Sequence, residues 1–434
     1  MTNARPSRRK RFALHLLVWL AATLLVGLRF GPPPPRFAAP DAAFSAGRGL
    51  AVLGRVLGEE RPHPRGSAEN RAVRERIEAE LRALGLEPRV DRASGCRGSR
   101  CAPVENVVAT IRGRAVREGR DGVLLACHYD SVPTGPGASD DGAGVATLLE
   151  VARALLRGGG VERDVVLLFD DGEEEGLLGA DAFVREAPEF ARVGVVVNVE
   201  ARGTSGPSMM FEVKHARLGA IRAMAGALDR PVTSSLFGGI YERMPNDTDL
   251  TVFGRAGLLG FNFAFIRDVV NYHRTTDDLA HLDPGSLQHH GDNTLAMVRT
   301  LASRRTSLEA AVDEPRAVWF DFASLVVIVW PEPWSLPTSM LLVVGAGLAV
   351  RRRIAGARLA AALAGSSVLL SLAFVPASPL LLAPALVATA GLGLICVSHG
   401  ERRERAHLAT SLVTTFVAGV LWSEVFFGLR DAFF

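Results

Sequence analysis

Lysine is nearly missing from this chain of 434 residues. It occurs only at Lys10 and Lys214, and arginine supplies almost all of the basic charge. That bias, beside the excess of Ala, Gly and Leu, reflects the base composition of a genome rather than a function. Net charge is also slight, +3 at pH 7. It is too small to mark a nucleic-acid binder, and no nucleic-acid partner is expected. Cysteine is scarce, with four in all. Cys96 and Cys101 flank a short Arg/Gly/Ser loop and either close a small disulfide or stay as two thiols, because spacing alone does not decide between these. Cys127 lies in an apolar, strand-like run and reads as a small core residue. Cys396 sits in another apolar run and reads as packing. No internal repeat is present.

Apolar residues, by contrast, are plentiful. Mean hydropathy is +0.20, high for a soluble protein of this size, and the excess sits at the two ends. Arg8, Arg9, Lys10 and Arg11 precede an apolar run over residues 12–28, near the lower length limit of a spanning helix. No small-x-small cleavage site follows at once, so the run reads as an uncleaved anchor with its basic side in the cytoplasm. Pro32 to Pro35 then make a stiff spacer. Residues 1–36 are thus expected to hold a basic cytoplasmic tail, a transmembrane anchor and the spacer. Residues 318–330, interrupted by Asp321, are a strand or a partly inserted segment. Apolar spans follow at 336–350, 359–375, 380–397 and 408–429. Arginine clusters at 351–353 and 402–405 fall in alternate connections, as the positive-inside rule requires. The expectation is a C-terminal membrane region over 315–434 with about four transmembrane helices. The chain is then an integral multi-pass protein of a bacterial cell membrane, with the lipid bilayer as a partner and the globular part outside the cytoplasm.

The middle of the chain, 37–314, has a different pattern. Helical periodicity covers 45–57, 67–84, 140–156, 177–185, 216–228 and 284–303. Short β-rich runs cover 104–111, 123–127, 165–169, 193–199, 209–213 and 258–266. Their alternation predicts an α/β fold, a mixed central sheet with helices on both faces. Ligands of such sheets gather at strand ends.

The acidic and imidazole residues fall there. HYDSVPTGPGASDDGAG runs from His128 to Gly144, and carries Asp130, Asp140 and Asp141. DGEEEG follows at 171–176 with Glu173 and Glu174. VVVNVE ends on Glu200, and NYHRTTDD carries Tyr272, His273 and Asp277. A borderline cation needs oxygen and imidazole ligands brought from several loop ends. A hydrolase needs, in addition, a carboxylate beside the metal that takes a proton from water. Adjacent Glu173 and Glu174 cannot face the same way from a regular strand or helix, so a loop after Gly172 is required. His281, His289 and His290 have no usable ligand spacing.

In this order the segments resemble the di-zinc exopeptidase family of aminopeptidases and glutamate carboxypeptidase-like enzymes, over about residues 51–303. RPHPRGSAENRAVRERI and the later apolar runs are most similar to its membrane-anchored, endoplasmic-reticulum metallopeptidase-like branch. The resemblance implies a zinc exopeptidase-like fold, a peptide or protein substrate, aminopeptidase activity and two zinc ions per chain. His128, Asp140 and Glu200 would bind one zinc; Asp140, Glu174 and His273 would bind the other, with Asp140 bridging. Glu173 would be the general base. Asp130 would accept the free ring N–H of His128. Tyr272 would hydrogen-bond the tetrahedral oxyanion, or else is a packing aromatic. Asn246 and Asp247 resemble a pocket-lining pair. Asp277 either supports the His273 loop or is a buried structural pair. A single-zinc, glutaminyl cyclase-like enzyme and an inactive receptor or scaffold are the alternatives. The second would have lost ligands, and none is missing.

Overall fold

The computed structural model describes residues 8–115, 119–303 and 314–337. Helices α1 (Arg8–Phe30), α2 (Ala46–Leu57) and α3 (Ala68–Ala83) come first, then strands β1 (Arg89–Arg97), β2 (Arg100–Ile111) and β3 (Gly122–His128). Next are α4 (Gly142–Arg157), β4 (Val165–Asp170), α5 (Leu178–Glu186), β5 (Val193–Ala201) and β6 (Met209–Lys214). After these come α6 (Leu218–Ala227), α7 (Ser235–Tyr241), α8 (Asp249–Arg255), β7 (Leu259–Phe265) and α9 (Pro284–Leu301). β8 (Ala317–Phe322) and β9 (Val326–Pro331) follow. The described residues divide into two units, 8–30 with 318–337, and 31–317.

The larger unit is built on a seven-stranded sheet in the order β1-β2-β4-β3-β5-β7-β6. β4, β3, β5 and β7 are parallel, whereas β1, β2 and β6 join antiparallel. The sheet is therefore mixed. β3, β4 and β7 are buried along their whole length, as expected of parallel strands covered on both faces. On one face Leu124, Ala126, Val166, Leu168 and Val196 pack on α5 and α8. There the Phe183 ring meets Phe190 and Phe253 edge-on at 6.2 and 6.4 Å, each pair contributing about 0.5–1.5 kcal/mol beyond its buried area. Strand side chains alternate between faces, so Leu125, Leu167 and Val197 are buried on the other side, where α4 and α9 lie against β3 and β5.

The helices start where their caps allow. Ser45 and Ser67 accept the N–H groups of Arg48 and Asn70 at the heads of α2 and α3, each cap contributing about 1 kcal/mol. Asp141 does the same for Gly144 at the head of α4. β1 escapes a reading of hydrophobic pattern because it is polar and half-exposed. It is held by register pairing along β2.

The membrane part of the expected architecture is corrected. Among the described residues, no helix is long and apolar enough to cross a membrane. α1 has 23 residues, but it begins inside the basic cluster at Arg8 and carries Arg29 in its last turn. The 17 residues between Arg11 and Arg29 would rise only about 26 Å as a helix, short of the roughly 30 Å of bilayer hydrocarbon. Of the two readings of residues 318–330, the strand is found: β8 and β9 pair as a two-stranded sheet, with Phe320 edge-on to Trp330 at 6.0 Å. The expected C-terminal spans beyond residue 337 lie outside the described residues, as does Cys396.

Candidate metal centre

Three parallel strands end at one edge of the sheet, and each delivers an acidic or imidazole group there. β3 ends on His128, in register with Asp170 at the end of β4. Glu200 is the penultimate residue of β5. The loop after β3 adds Asp130 and Asp140, and the segment after β7 adds His273. The peptide bond between Asp140 and Asp141 is cis. After β4, Gly172 takes φ +80°, a left-handed conformation that favours glycine. The chain then turns tightly, with the Glu173 carbonyl accepting the N–H groups of Gly176 and Leu177 at 2.8 and 2.9 Å. That turn separates the Glu173 and Glu174 side chains. His273 also sits at positive φ, +58°, an unusual conformation for a residue with a Cβ and one that clusters at functional sites.

Asp140 lies between two groups of donors. Its Oδ1 is 3.3 Å from His128 Nε2, and its Oδ2 is 3.1 Å from His273 Nε2. His128 Nε2 is 3.9 Å from Glu200 Oε2. His273 Nε2 is 3.0 Å from Glu174 Oε1. Potential ligand atoms of His128, Asp140 and Glu200 lie within 4.8 Å of one another, and so do those of Asp140, Glu174 and His273. Asp140 Oδ2, Glu174 Oε1 and His273 Nε2 are buried and close together, yet none makes a well-directed hydrogen bond. Buried polar atoms normally have one. Two carboxylate oxygens and an imidazole nitrogen converging in this way fit a cation, and mixed imidazole and carboxylate donors suit zinc.

The electrostatics point the same way. Burial opposes charge on His128, but hydrogen bonds to Asp130 and Asp140 outweigh it and raise its pKa well above the ordinary value. The same contest on His273, with Asp140 and Glu174 as partners, pushes it up to about 10. Burial raises Glu173 and Glu200 well above the carboxylate range. Burial acts on Asp140 too, yet the two imidazoles prevail and lower its pKa. The cluster is thus short of positive charge, and draws protons where a cation would serve.

The surrounding residues orient it. The nearest acceptor for His128 Nδ1 is the backbone carbonyl of Asp130, at 3.0 Å, with the carboxylate Oδ1 at 3.4 Å. Asp130 Oδ1 accepts the backbone N–H of Glu173 at 3.1 Å. Asp277 accepts the N–H groups of Ser139 and Asp140 at 2.8 and 3.2 Å. It therefore fixes the Asp140 loop, and burial raises its pKa to about 6. The Tyr272 ring stacks on His273, centroids 3.7 Å apart, with the Arg202 guanidinium 5.5 Å from the phenol ring. Asn246 and Asp247 line a cavity of about 400 Å³ with Glu173, Glu174, Arg97 and Arg100.

Pattern reading missed a row of polar groups behind Glu200. Asn198 donates to Glu200 Oε1 at 3.3 Å and to Asn262 Oδ1 at 3.2 Å. Asn262 donates to Glu212 Oε2 at 3.2 Å and to Thr248 Oγ1 at 2.8 Å. Lys214 pairs with Glu212 at 2.6 Å. The available signal was an asparagine in each of two buried apolar strands, VVVNVE and FNFAF, since buried polar residues are the informative exceptions. Cys96 and Cys101 are joined by a disulfide, and Cys127 is buried in β3. His281 bonds Asp278 at the surface. His289 and His290 lie in α9 beside Ser208, and none of the three joins either donor group.

Residues 106–298 match Peptidase family M28. A vacuolar membrane protease of Yarrowia lipolytica is 31% identical over 54% of this chain and 24% of its own length. Endoplasmic reticulum metallopeptidase 1 of Mus musculus is 30% identical over 52% of this chain and 26% of its own. The chain thus spans about a quarter of each of these relatives. Among solved structures, an aminopeptidase from Aneurinibacillus sp. strain AM-1 superposes with a TM-score of 0.50 at 14% identity. It covers 63% of this chain and 98% of that one, a likeness of fold. The expected placement in a bacterial cell membrane is corrected. The two relatives above are named for the vacuolar membrane and the endoplasmic reticulum of eukaryotes, and no helix among the described residues can span a bilayer.

Proposed function

We propose, from the premise that residues 106–298 are a Peptidase family M28 domain, that the chain is a zinc-dependent exopeptidase of the aminopeptidase type. The observation that carries this reading is Asp140, whose two carboxylate oxygens face separate imidazole and carboxylate groups. One ion would be held by His128, Asp140 and Glu200, and a second by Asp140, Glu174 and His273. Zinc, when bound, supplies Lewis acidity that acidifies water and polarises a carbonyl oxygen.

The remaining work falls to the chain. Glu173 belongs to neither donor group and has its N–H held by Asp130. Its carboxylate takes a proton from water as the water oxygen bonds to the peptide carbonyl carbon. It returns that proton to the nitrogen as the C–N bond breaks. Burial raises the Tyr272 pKa, so at neutral pH the hydroxyl stays protonated and can donate to the oxyanion. Asn246 and Asp247 take part in holding the substrate.

The test is metal content with a peptide series on the full chain. About two zinc per chain are expected, with release of the first residue from peptides that have a free amino terminus and none from acetylated ones. Cyclisation of an amino-terminal glutamine without peptide cleavage would mean a cyclase instead. Neither reaction, with zinc absent, would mean a scaffold.

A further inference from the structure

The β1–β2 hairpin carries two arginines to the rim of the candidate centre. Its tip is Arg97-Gly98-Ser99-Arg100, closed by the Cys96–Cys101 disulfide. Contacts with α5 hold it, among them an Arg185 hydrogen bond to the Ser94 carbonyl. The Cys96 N–H donates to Asp181 Oδ2 at 2.8 Å. Gly95 lies so close that a Cβ there would come within 1.9 Å of the Leu178 carbonyl oxygen. Both arginines line the 400 Å³ cavity that reaches Glu173 and Glu174. That volume suits a portion of a small ligand rather than a folded protein surface.

Most of the charges around the cavity have partners. Glu174 faces His273. Glu175 pairs with Arg65 at 2.7 Å. Asp247 lies 3.7 Å from Arg97 and 3.9 Å from Arg255. Arg100 has no ion pair or side-chain hydrogen bond among the described residues, although it lines the cavity. An exposed guanidinium on a cross-linked hairpin, with its donors free, matches the planar geometry of a carboxylate.

We propose that Arg100, with Arg97 beside it, binds a carboxylate of the peptide substrate and so makes the enzyme selective for anionic peptides. The inference rests on the exopeptidase reading above. The carboxylate belongs either to an acidic side chain or to the carboxyl terminus of a short peptide.

The experiment compares kcat/KM of the full-length, zinc-loaded chain on Leu-Glu-Ala-amide and Leu-Gln-Ala-amide, and on Leu-Gln-Ala as free acid and amide. A charge-assisted hydrogen bond predicts a preference on the order of 10-fold for the anionic member of at least one pair. The first pair reports a side-chain carboxylate, the second a terminal one. Arg100→Gln should reduce the ratio to within about 2-fold, while Arg112→Gln, just past the other end of β2, keeps it. A ratio near one in both pairs, or one that Arg100→Gln leaves intact, overturns the proposal. Calorimetric binding of the same peptides to Glu173→Gln, with and without Arg100→Gln, needs no turnover. If nothing is cleaved, the exopeptidase reading fails. A binding preference lost with Arg100 would still uphold the carboxylate site, and its absence would sink it.

Discussion

Glu173 and Glu174 are adjacent and chemically identical, so position alone must divide their roles. Glu174 Oε1 is 3.0 Å from His273 Nε2 and belongs to a donor group. Glu173 is in neither group, and its backbone is fixed by Asp130. Glu173→Gln keeps the size and shape of the side chain and removes its proton-accepting charge. It should therefore lower kcat by about 10²- to 10⁴-fold, the usual worth of a general base, while zinc content stays at the wild-type value. Glu174→Gln removes one oxygen ligand from the second group. Its zinc affinity there should fall by at least about 10- to 100-fold, the loss seen when even an outer partner of a ligand is removed. Added zinc should restore part of its activity and none of that of Glu173→Gln. The assay pairs elemental analysis of dialysed protein with turnover across a zinc titration. Near-normal turnover in Glu173→Gln would refute the proton role. Zinc loss in Glu173→Gln, with zinc kept in Glu174→Gln, would exchange the two assignments.

Ligand deletions should be graded. His128→Ala and His273→Ala should each retain about one zinc per chain and Asp140→Ala close to none, since Asp140 belongs to both groups; equal, full metal loads in all three would remove the ligand assignment. Asn198→Ala takes the side-chain donor from Glu200 Oε1 and should weaken zinc about 10- to 100-fold; a chelator competition curve that matches wild type would contradict this. Stability should decline in acid because of His289 and His290. Burial holds their pKa values down to about 4 and about 3, below the unfolded value of about 6.5. The unfolded chain then binds more protons, so stability is full above pH 6.5 and falls as pH drops towards 4. At pH 5 the loss is about 2 kcal/mol per histidine. Buried carboxylates with raised pKa, such as Asp277, act in the opposite sense, so the check compares wild type with a His289→Gln, His290→Gln double variant; an equal stability change from pH 7 to pH 5 in both would show that these histidines are not buried neutral.

The place of the candidate ligands was readable because LLACH, VVNVE and FNFAF are apolar runs, and as buried strands they end at one edge. Two adjacent glutamates cannot face the same way from a regular strand or helix, so a turn after Gly172 was required, and the positive φ of Gly172 provides it. Other features depend on neighbours in space. β1 has little hydrophobic pattern and exists through its pairing with β2, so nothing in Arg89–Arg97 announces a strand. Asn198 and Asn262 meet because β5 and β7 are adjacent and in register, although α6, α7 and α8 separate them in the chain. Asp277 turned out to hold the Asp140 loop, a contact across 137 positions. The basic start of α1 misled in the opposite direction. An apolar run beside arginines matches the composition of a membrane anchor, but what decides is its length between the charges.

Because Asp140 serves both donor groups, the two halves of the centre are separable along the gene but not in the folded molecule. All ligands of the first group lie within residues 128–200, so a growing chain contains them before His273 has been made. Closing that group needs β3 and β5 side by side. The second group waits for His273, beyond β7. A chain that stops before His273 thus holds one complete donor set and an Asp140 whose Oδ2 has lost its imidazole partner. A truncated product of this kind could still take up one metal ion, so the presence of metal, as distinct from its amount per chain, would not reveal that the reading frame had ended early.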